Sequence, residues 1–402
     1  MVNGNLWLRI ARSWRIACAT GCSAALLVPA HLEARDSHTG PSLVFVGTMG
    51  VSAQGIYAYR FNPTNGEATF LGLAAVTPNP SFLVASHDGH FLYAVNEVGA
   101  RERQGGRVSA FRIAAQGKLT LIDSVASGGA NPCDLALDRS GVALLVANCS
   151  GGSVALLRVR PDGGLDEPAA VVQHQGRGAD PTRQQRPYAH GVAITPDNHF
   201  VAVADFGLDQ IFLHPFDASR RTLREGTSAT TVIPGGAVRH IAFTPNGRFL
   251  YGIDEVDSAL TVFRYERGAL RKLETLSALP PGATVKRGGS EVAVDRSGRF
   301  LYVSIRGDEN KIAVYQLNQR TGHPMPIQFV STEGIMPRHF ALSPDGAWLA
   351  VANENSHSIV WMRRDAQTGK LTRNAQAAEQ VNSPTCIVFV DTRQLSSGTP
   401  PS

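Results

Sequence analysis

"SPDGAWLAVANEN", residues 343–355, reads as a turn followed by a short apolar run that ends on polar residues. Five further stretches repeat it: "SHDGHFLYAVNE", "DRSGVALLVANC", "TPDNHFVAVADF", "TPNGRFLYGIDE" and "DRSGRFLYVSIR". Their turn residues, Gly89, Gly141, Asn198, Gly247, Gly298 and Gly346, are separated by 52, 57, 49, 51 and 48 residues. A steady period near 50 marks a repeat architecture. About 20 residues after each turn comes a second signature, an alternating strand running into a Gly or Asp turn. "GRVSAFRIAAQGKLTLI" and "SIVWMRRDAQTGKLT" are clear copies, and "QIFLHPFD" is a poorer one.

The second signature occurs seven times, counting "GIYAYRFNPTNGEATFL" near the start, which has no turn-and-strand pair before it. The C-terminal "SPTCIVFV" is a strand with no partner after it, so the two ends complete one unit between them. Four short strands per unit, punctuated by turns, describe an antiparallel blade, and seven blades closing in a ring make an all-β, seven-bladed β-propeller. A pair of packed sheets would not hold one turn at constant spacing. Closure by both termini also hides the sheet edges that an open array would expose.

The first 34 residues differ from the rest. Arg9, Arg12 and Arg15 precede the apolar "IACATGCSAALLVPA", and Ala30 or Ala34 offers a small residue for cleavage, which is the pattern of a secretory signal peptide. The run is shorter than a membrane span needs and is broken by Thr20, Gly21, Cys22 and Ser23. The expected organisation is a leader over 1–34, a linker over 35–42, the propeller over 43–392 and a flexible tail over 393–402. The mature protein is expected in the periplasm or secreted, with no integral membrane segment.

Cleavage after Ala30 takes three Arg and no acid, lowering the formal net charge from +5 to +2. No Lys/Arg run or nucleic-acid motif remains, so no nucleic-acid partner is expected. Of the five Cys, Cys133, Cys149 and Cys386 stay with the mature chain. They have no paired spacing, and neither a zinc site nor a disulfide framework is indicated. His174, His199, His214 and His357 are scattered and read as ordinary histidines, so no metal or other cofactor is expected.

If the strand before each turn is the innermost of its blade and the next strand lies outside it, residues equally far from the turn share one end of the hairpin. Eight before the turn stand Ser81, Cys133, His190, Arg239, Ser290 and Arg338, and eight after it Glu97, Cys149, Phe206, Glu255, Arg306 and Glu354. Asp134, His240, Glu291 and His339 follow one position later on the first strand. A ring of Arg, Glu and His at one mouth of a channel suits an anionic ligand with an acid–base group inside it.

The segments "NPSFLVASHDGHFLYAVNE", "QQRPYAHGVAITPD", "RHIAFTPNGRFLYGIDE", "SEVAVDRSGRFLYVSIRG" and "MPRHFALSPDGAWLAVANE" give the chain a resemblance to the lactonase family of seven-bladed propellers. That family includes bacterial 6-phosphogluconolactonase and fungal carboxy-cis,cis-muconate cyclase. The resemblance implies hydrolysis of a sugar lactone without a required metal. The family's site residues, a His of "HAH", an Arg of "RH", a Glu of "NE" and an Arg of "NRG", fall on His190, Arg239, Glu255 and Arg306. Tyr188, Asp134, Asp254 and Ile305 depart from the family pattern, which bears on substrate fit more than on chemistry.

Lactone opening needs an activated water, a stabilised oxyanion and a proton for the leaving alkoxide. Glu255 or His190 is expected to act as base, with His190 the more natural proton donor, and Arg239 and Arg306 to hold the oxyanion. Arg338, His339, Glu97, Glu291 and His240 are expected to line the substrate site, Arg338 gripping an anionic group. No Ser lies in a nucleophile-elbow setting. A cyclase or lactonase acting on a carboxylated substrate is an alternative, and so is a propeller that binds without turnover.

Overall fold

A computed structural model describes residues 40–391, apart from 52–53, 100–104, 227, 284–287 and 375–377. The expected leader and tail lie outside the described residues. The described strands form seven antiparallel sheets. Seven strands line the centre: Leu83–Ala85, Pro132–Leu137, Ala189–Ile194, Val238–Phe243, Gly289–Val294, Pro337–Leu342 and Pro384–Asp391. Each neighbours the next, and the last neighbours the first, so the ring is closed. Closure falls where the unpaired ends of the sequence predict it: Pro384–Asp391 is the innermost strand of the blade that starts at Ser42–Thr48, pairing Leu43 with Val390 and Phe45 with Val388.

The recurring apolar run is the second strand of each blade. Phe91–Asn96, Ala143–Asn148, Phe249–Asp254, Phe300–Ile305 and Trp348–Asn353 are buried at every position. Both faces of such a strand pack against neighbouring blades, so both need apolar side chains and the run does not alternate. Outer strands such as Glu67–Val76 keep exposed positions. Seven separate apolar clusters fill the seven blade interfaces. At the closing interface Phe61 stacks on Trp361 with ring centroids 4.7 Å apart.

The turn has two spellings with one geometry. In "SHDG", "TPDN", "TPNG" and "SPDG" the Ser or Thr oxygen accepts the amide five residues on, as in Phe91 N to Ser86 Oγ at 2.9 Å and Trp348 N to Ser343 Oγ at 3.0 Å. In the "DRSG" copies the first Asp does so, Asp138 Oδ1 taking Ala143 N at 2.8 Å and Asp295 Oδ1 taking Phe300 N at 2.9 Å. The fourth residue has positive φ in every copy, from 62° at Asn198 to 75° at Gly141. That region favours Gly and tolerates Asn, which are the two residues found there.

Two blades depart from four simple strands. Beside Gln210–Asp217 the outer strand is split into Thr222–Leu223 and Ser228–Thr231, and beside Ser358–Arg364 into Leu371–Arg373 and Glu379–Gln380. In the first, the gap falls at His214 and Pro215, and Pro215 has no amide to continue a ladder.

Candidate active site

In five of the six turn-linked hairpins, the ladder slips by one residue at the end away from the turn. Pairing shifts between Pro132 and Asp134, Ala189 and Gly191, Val238 and His240, and Pro337 and His339. The extra residues are Cys133, His190, Arg239 and Arg338, four of the six first-strand positions singled out by register. Ser290 and Glu291 share a fifth bulge, between Gly289 and Val292. A bulge bends its strand and re-aims a side chain, and this series of bulges lies at one end of the ring.

Arg239, Glu255 and Arg306 meet. Glu255 Oε2 lies 2.8 Å from Arg306 Nη2 and 3.6 Å from Arg239 Nε, while Oε1 lies 2.9 Å from Arg183 Nη2. Burial alone would raise the Glu255 carboxyl, but Arg306 and Arg239 outweigh it and hold the group far below the ordinary carboxylate range. Burial and the charges of Arg306 and Arg338 lower Arg239 to about 10. Backbone carbonyls fix both guanidinium groups: Arg239 Nη1 donates to Ser290 O at 3.1 Å and Arg306 Nη2 to Gly289 O at 3.0 Å. Three arginines around one carboxylate leave excess positive charge, an arrangement made for an anion.

Arg338 lies beside this cluster, Ser290 Oγ donating to its carbonyl at 2.7 Å. Its guanidinium pairs with Glu354 at 3.3 Å and with Glu97 at 3.8 Å. Burial lowers its pKa, but Glu354 and Glu97 more than restore it.

Next to the cluster the ring of His190 stands 5.3 Å from that of His240. His240 Nδ1 is 2.8 Å from Glu291 Oε2, and the same oxygen is 3.6 Å from His339 Nε2. The Ile387 amide donates to His339 Nδ1 at 3.2 Å, which leaves the proton of a neutral ring on Nε2, toward Glu291. Burial and then Arg239 push His190 and His240 well below the ordinary histidine range, and burial takes His339 to about 4. Burial raises Glu291. His190 Nδ1 and His240 Nε2 are buried and have no hydrogen-bond partner among the described residues. Two neutral imidazoles beside a cationic cluster can accept a proton and return it.

Of the residues that the sequence places on this end, the structure thus brings Arg239, Glu255 and Arg306 into contact, sets His190 beside His240, links His240, Glu291 and His339, and joins Arg338 to Glu97 and Glu354. Asp134 points into the same buried layer, its Oδ2 accepting Val192 N at 2.8 Å, and burial raises its carboxyl strongly.

Other features escape linear spacing. Arg183 belongs to the excursion that makes one repeat 57 residues long, and that length is the signal that could have drawn attention to it. Buried Gln184 anchors the excursion by donating to Asp209 Oδ1 at 2.6 Å and Phe206 O at 2.7 Å, and Arg183 lies 5.0 Å from the Phe206 ring centroid. His174 and His214, which read as isolated in the sequence, are buried together. Their Nε2 atoms are 3.0 Å apart and His174 Nδ1 is 2.6 Å from Asp205. Spacing also hides a grouping of Cys133, Cys149 and His190, whose sulfur and ring nitrogen atoms lie within 4.8 Å of one another.

A cleft of about 570 Å³ opens at the turn end, between the loops at Asp88, Ser140 and Pro161. It contains Arg158 and Arg160, but these are paired with Asp166 and with Asp123 and Asp166. Arg139 and Arg221 line it as well, but His87 is the one histidine among its described lining residues, so acid–base chemistry by a histidine pair points to the bulged mouth.

The sequence profile described as "Lactonase, 7-bladed beta-propeller" matches residues 43–389. The chain belongs to this family. It is 30% identical over 357 residues to 6-phosphogluconolactonase of Bacillus subtilis, covering 86% of this chain and 98% of the relative. It is 32% identical to 6-phosphogluconolactonase of Formosa agariphila, covering 80% of this chain and 92% of that one. A solved periplasmic gluconolactonase of Pseudomonas aeruginosa superposes with a TM-score of 0.81 at 33% identity, over 87% of this chain and 99% of the other. Family membership thus spans the propeller and both of its closing strands.

Proposed function

We propose that this lactonase-family chain is a 6-phosphogluconolactonase-like carboxylic ester hydrolase that opens an anionic lactone by water attack. The observation that carries the reading is the guanidinium cluster around Glu255, set against His190 and His240, each with one buried ring nitrogen that has no hydrogen-bond partner among the described residues. A lactone carbonyl placed between them develops negative charge on oxygen, which Arg239 and Arg306 stabilise. Neutral His190 takes a proton from the attacking water as the new C–O bond forms. The tetrahedral intermediate then expels the ring oxygen, which receives that proton, leaving a hydroxy acid. Glu255 is already bound by three guanidinium groups, so its part is to align them, and water activation falls to His190. Arg183, whose Nη1 has no hydrogen-bond partner among the described residues, and Arg338 hold the phosphate or carboxylate of the substrate.

Hydrolysis of 6-phosphogluconolactone, unphosphorylated gluconolactone and a carboxylated lactone, each corrected for the buffer reaction, tests the reading. Turnover of at least one anionic lactone, lost in Arg306→Ala, is expected. Preference for the carboxylated lactone would favour the muconate-cyclase branch of the family. No turnover of any of them, in a protein that still binds them, would leave a binding module.

The working site of this enzyme is the periplasm or the medium outside the cell. Arg9, Arg12 and Arg15 ahead of an apolar run support export, as does the likeness to a protein described as a periplasmic gluconolactonase. Among the described residues no helix is long and apolar enough to cross a membrane. Mass analysis of protein released from the cell envelope should give a mature N-terminus just after Ala30 or Ala34. An intact Met1 there would contradict export by cleavage.

A further inference from the structure

The thiols of Cys133 and Cys149 stand on one hairpin, eight residues before and after Gly141, and the imidazole of His190 reaches them from the innermost strand of the next blade. Their potential donor atoms lie within 4.8 Å of one another. A tetrahedral ion with bonds of about 2.3 Å to sulfur and about 2.0 Å to nitrogen spaces its ligands at roughly 3.5–3.8 Å, so small side-chain adjustments close the set. Cys133 is fixed by a bulge and its thiol donates to His190 O at 3.3 Å, which ties the two strands together at this point. His190 Nδ1 is buried without a hydrogen-bond partner among the described residues. Cys149 is half-buried, giving the grouping a side toward the mouth.

We propose that Cys133, Cys149 and His190 form a site for one thiophilic divalent cation, such as zinc, at the mouth of the propeller. Two thiolates and one neutral imidazole balance the charge of the ion, and three protein ligands leave a fourth position for water or an anion. Binding releases the two thiol protons, so affinity rises with pH. The ion takes the imidazole needed for turnover. This consequence rests on the lactonase reading, whereas the site itself does not.

The test titrates the purified protein, reduced beforehand and freed of reductant under inert gas, with Co²⁺ alone. A thiolate-to-cobalt charge-transfer band that saturates at one ion per chain is expected, with binding at least tenfold weaker in Cys149→Ser and unchanged in Cys386→Ser. No such band in the folded wild-type protein, or an equal band in Cys149→Ser, overturns the proposal. Because the spectrum needs no substrate, it stands whether or not the lactonase assay succeeds. With zinc, inhibition of turnover relieved by Cys149→Ser supports the site, and inhibition unchanged by that substitution counts against it.

Discussion

Arg306 Nη2 sits 2.8 Å from Glu255 Oε2 and 3.0 Å from the carbonyl of Gly289, so a single guanidinium nitrogen joins the end of one blade's second strand to the first strand of the next. The contact makes Glu255 an organiser of positive charge. A carboxylate held by three guanidinium groups is a weak base, because each contact favours its ionised form.

Replacing Glu255 with Gln should therefore disorder the arginines without removing the group that titrates in turnover. We expect kcat/KM to fall by roughly 10²- to 10³-fold, the scale of losing an oxyanion donor. The acid limb of the pH–rate profile should persist and move to lower pH, because the Glu255 carboxylate favours the imidazolium of His190. Disappearance of that limb would restore Glu255 as the base. Arg306→Lys should lose nearly as much, since both contacts are made by Nη2 at the tip of the guanidinium and the shorter-reaching, strongly hydrated lysine ammonium does not place a donor there.

The proton acceptor is expected to be His190, and its environment sets the sign of the pH dependence. Burial and the neighbouring Arg239 disfavour the imidazolium, so the ring is neutral at pH 7 and becomes protonated only well below the usual histidine range. Activity should be level through neutral pH and fall only in distinctly acid solution. His190→Gln should reduce kcat by about 10²- to 10⁴-fold and flatten that fall. A wild-type midpoint at ordinary histidine pH would contradict the placement.

The fold was legible because one device is written six times. The Gly or Asn turn fixes the period, and strands packed on both faces write themselves as unbroken apolar runs. The ring of mouth residues was legible for the same reason, since equal distance from the turn means the same end. Linear spacing could not show the bulges, which depend on pairing with a second strand. Nor could it show Arg183, which reaches Glu255 across 72 residues from outside the repeat. The meeting of His174 with His214 and of Cys149 with His190 also joins residues from different strands. Contacts of this kind are properties of the closed ring and leave no mark on a single unit.

His240 is a positioning residue in this scheme, with Glu291 fixing its Nδ1 and its ring centroid 5.3 Å from that of His190. Glu291→Gln should let the His240 ring change tautomer. The expected result is a loss of about tenfold in kcat with KM little changed, together with a nitrogen chemical-shift change at His240 in NMR spectra. A purely structural role for the pair would lower thermal stability and leave the tautomer alone.

Asp254 carries the last prediction. Asn96, Asn148 and Asn353 occupy its position in other blades and donate their side-chain amides to Thr77 Oγ1 and Pro78 O, to Ser127 O, and to Thr332 O. Asp254 is fully buried, and neither carboxyl oxygen has a hydrogen-bond partner among the described residues. Burial, with Asp257 and Asp209 nearby, raises its pKa to about 8. The folded protein therefore keeps the proton over a pH range in which the unfolded chain, titrating near pH 4, has lost it. Stability is undiminished below about pH 4, declines as pH rises, and bears the full cost above about pH 8. Asp254→Asn removes this titration and supplies the missing donor. Its melting temperature should exceed the wild type's by several degrees at pH 8, for a gain of roughly 2–4 kcal/mol, and the difference should shrink steadily toward pH 4. A difference that does not change with pH would mean that Asp254 is ionised in the folded protein and paired with a group beyond those described.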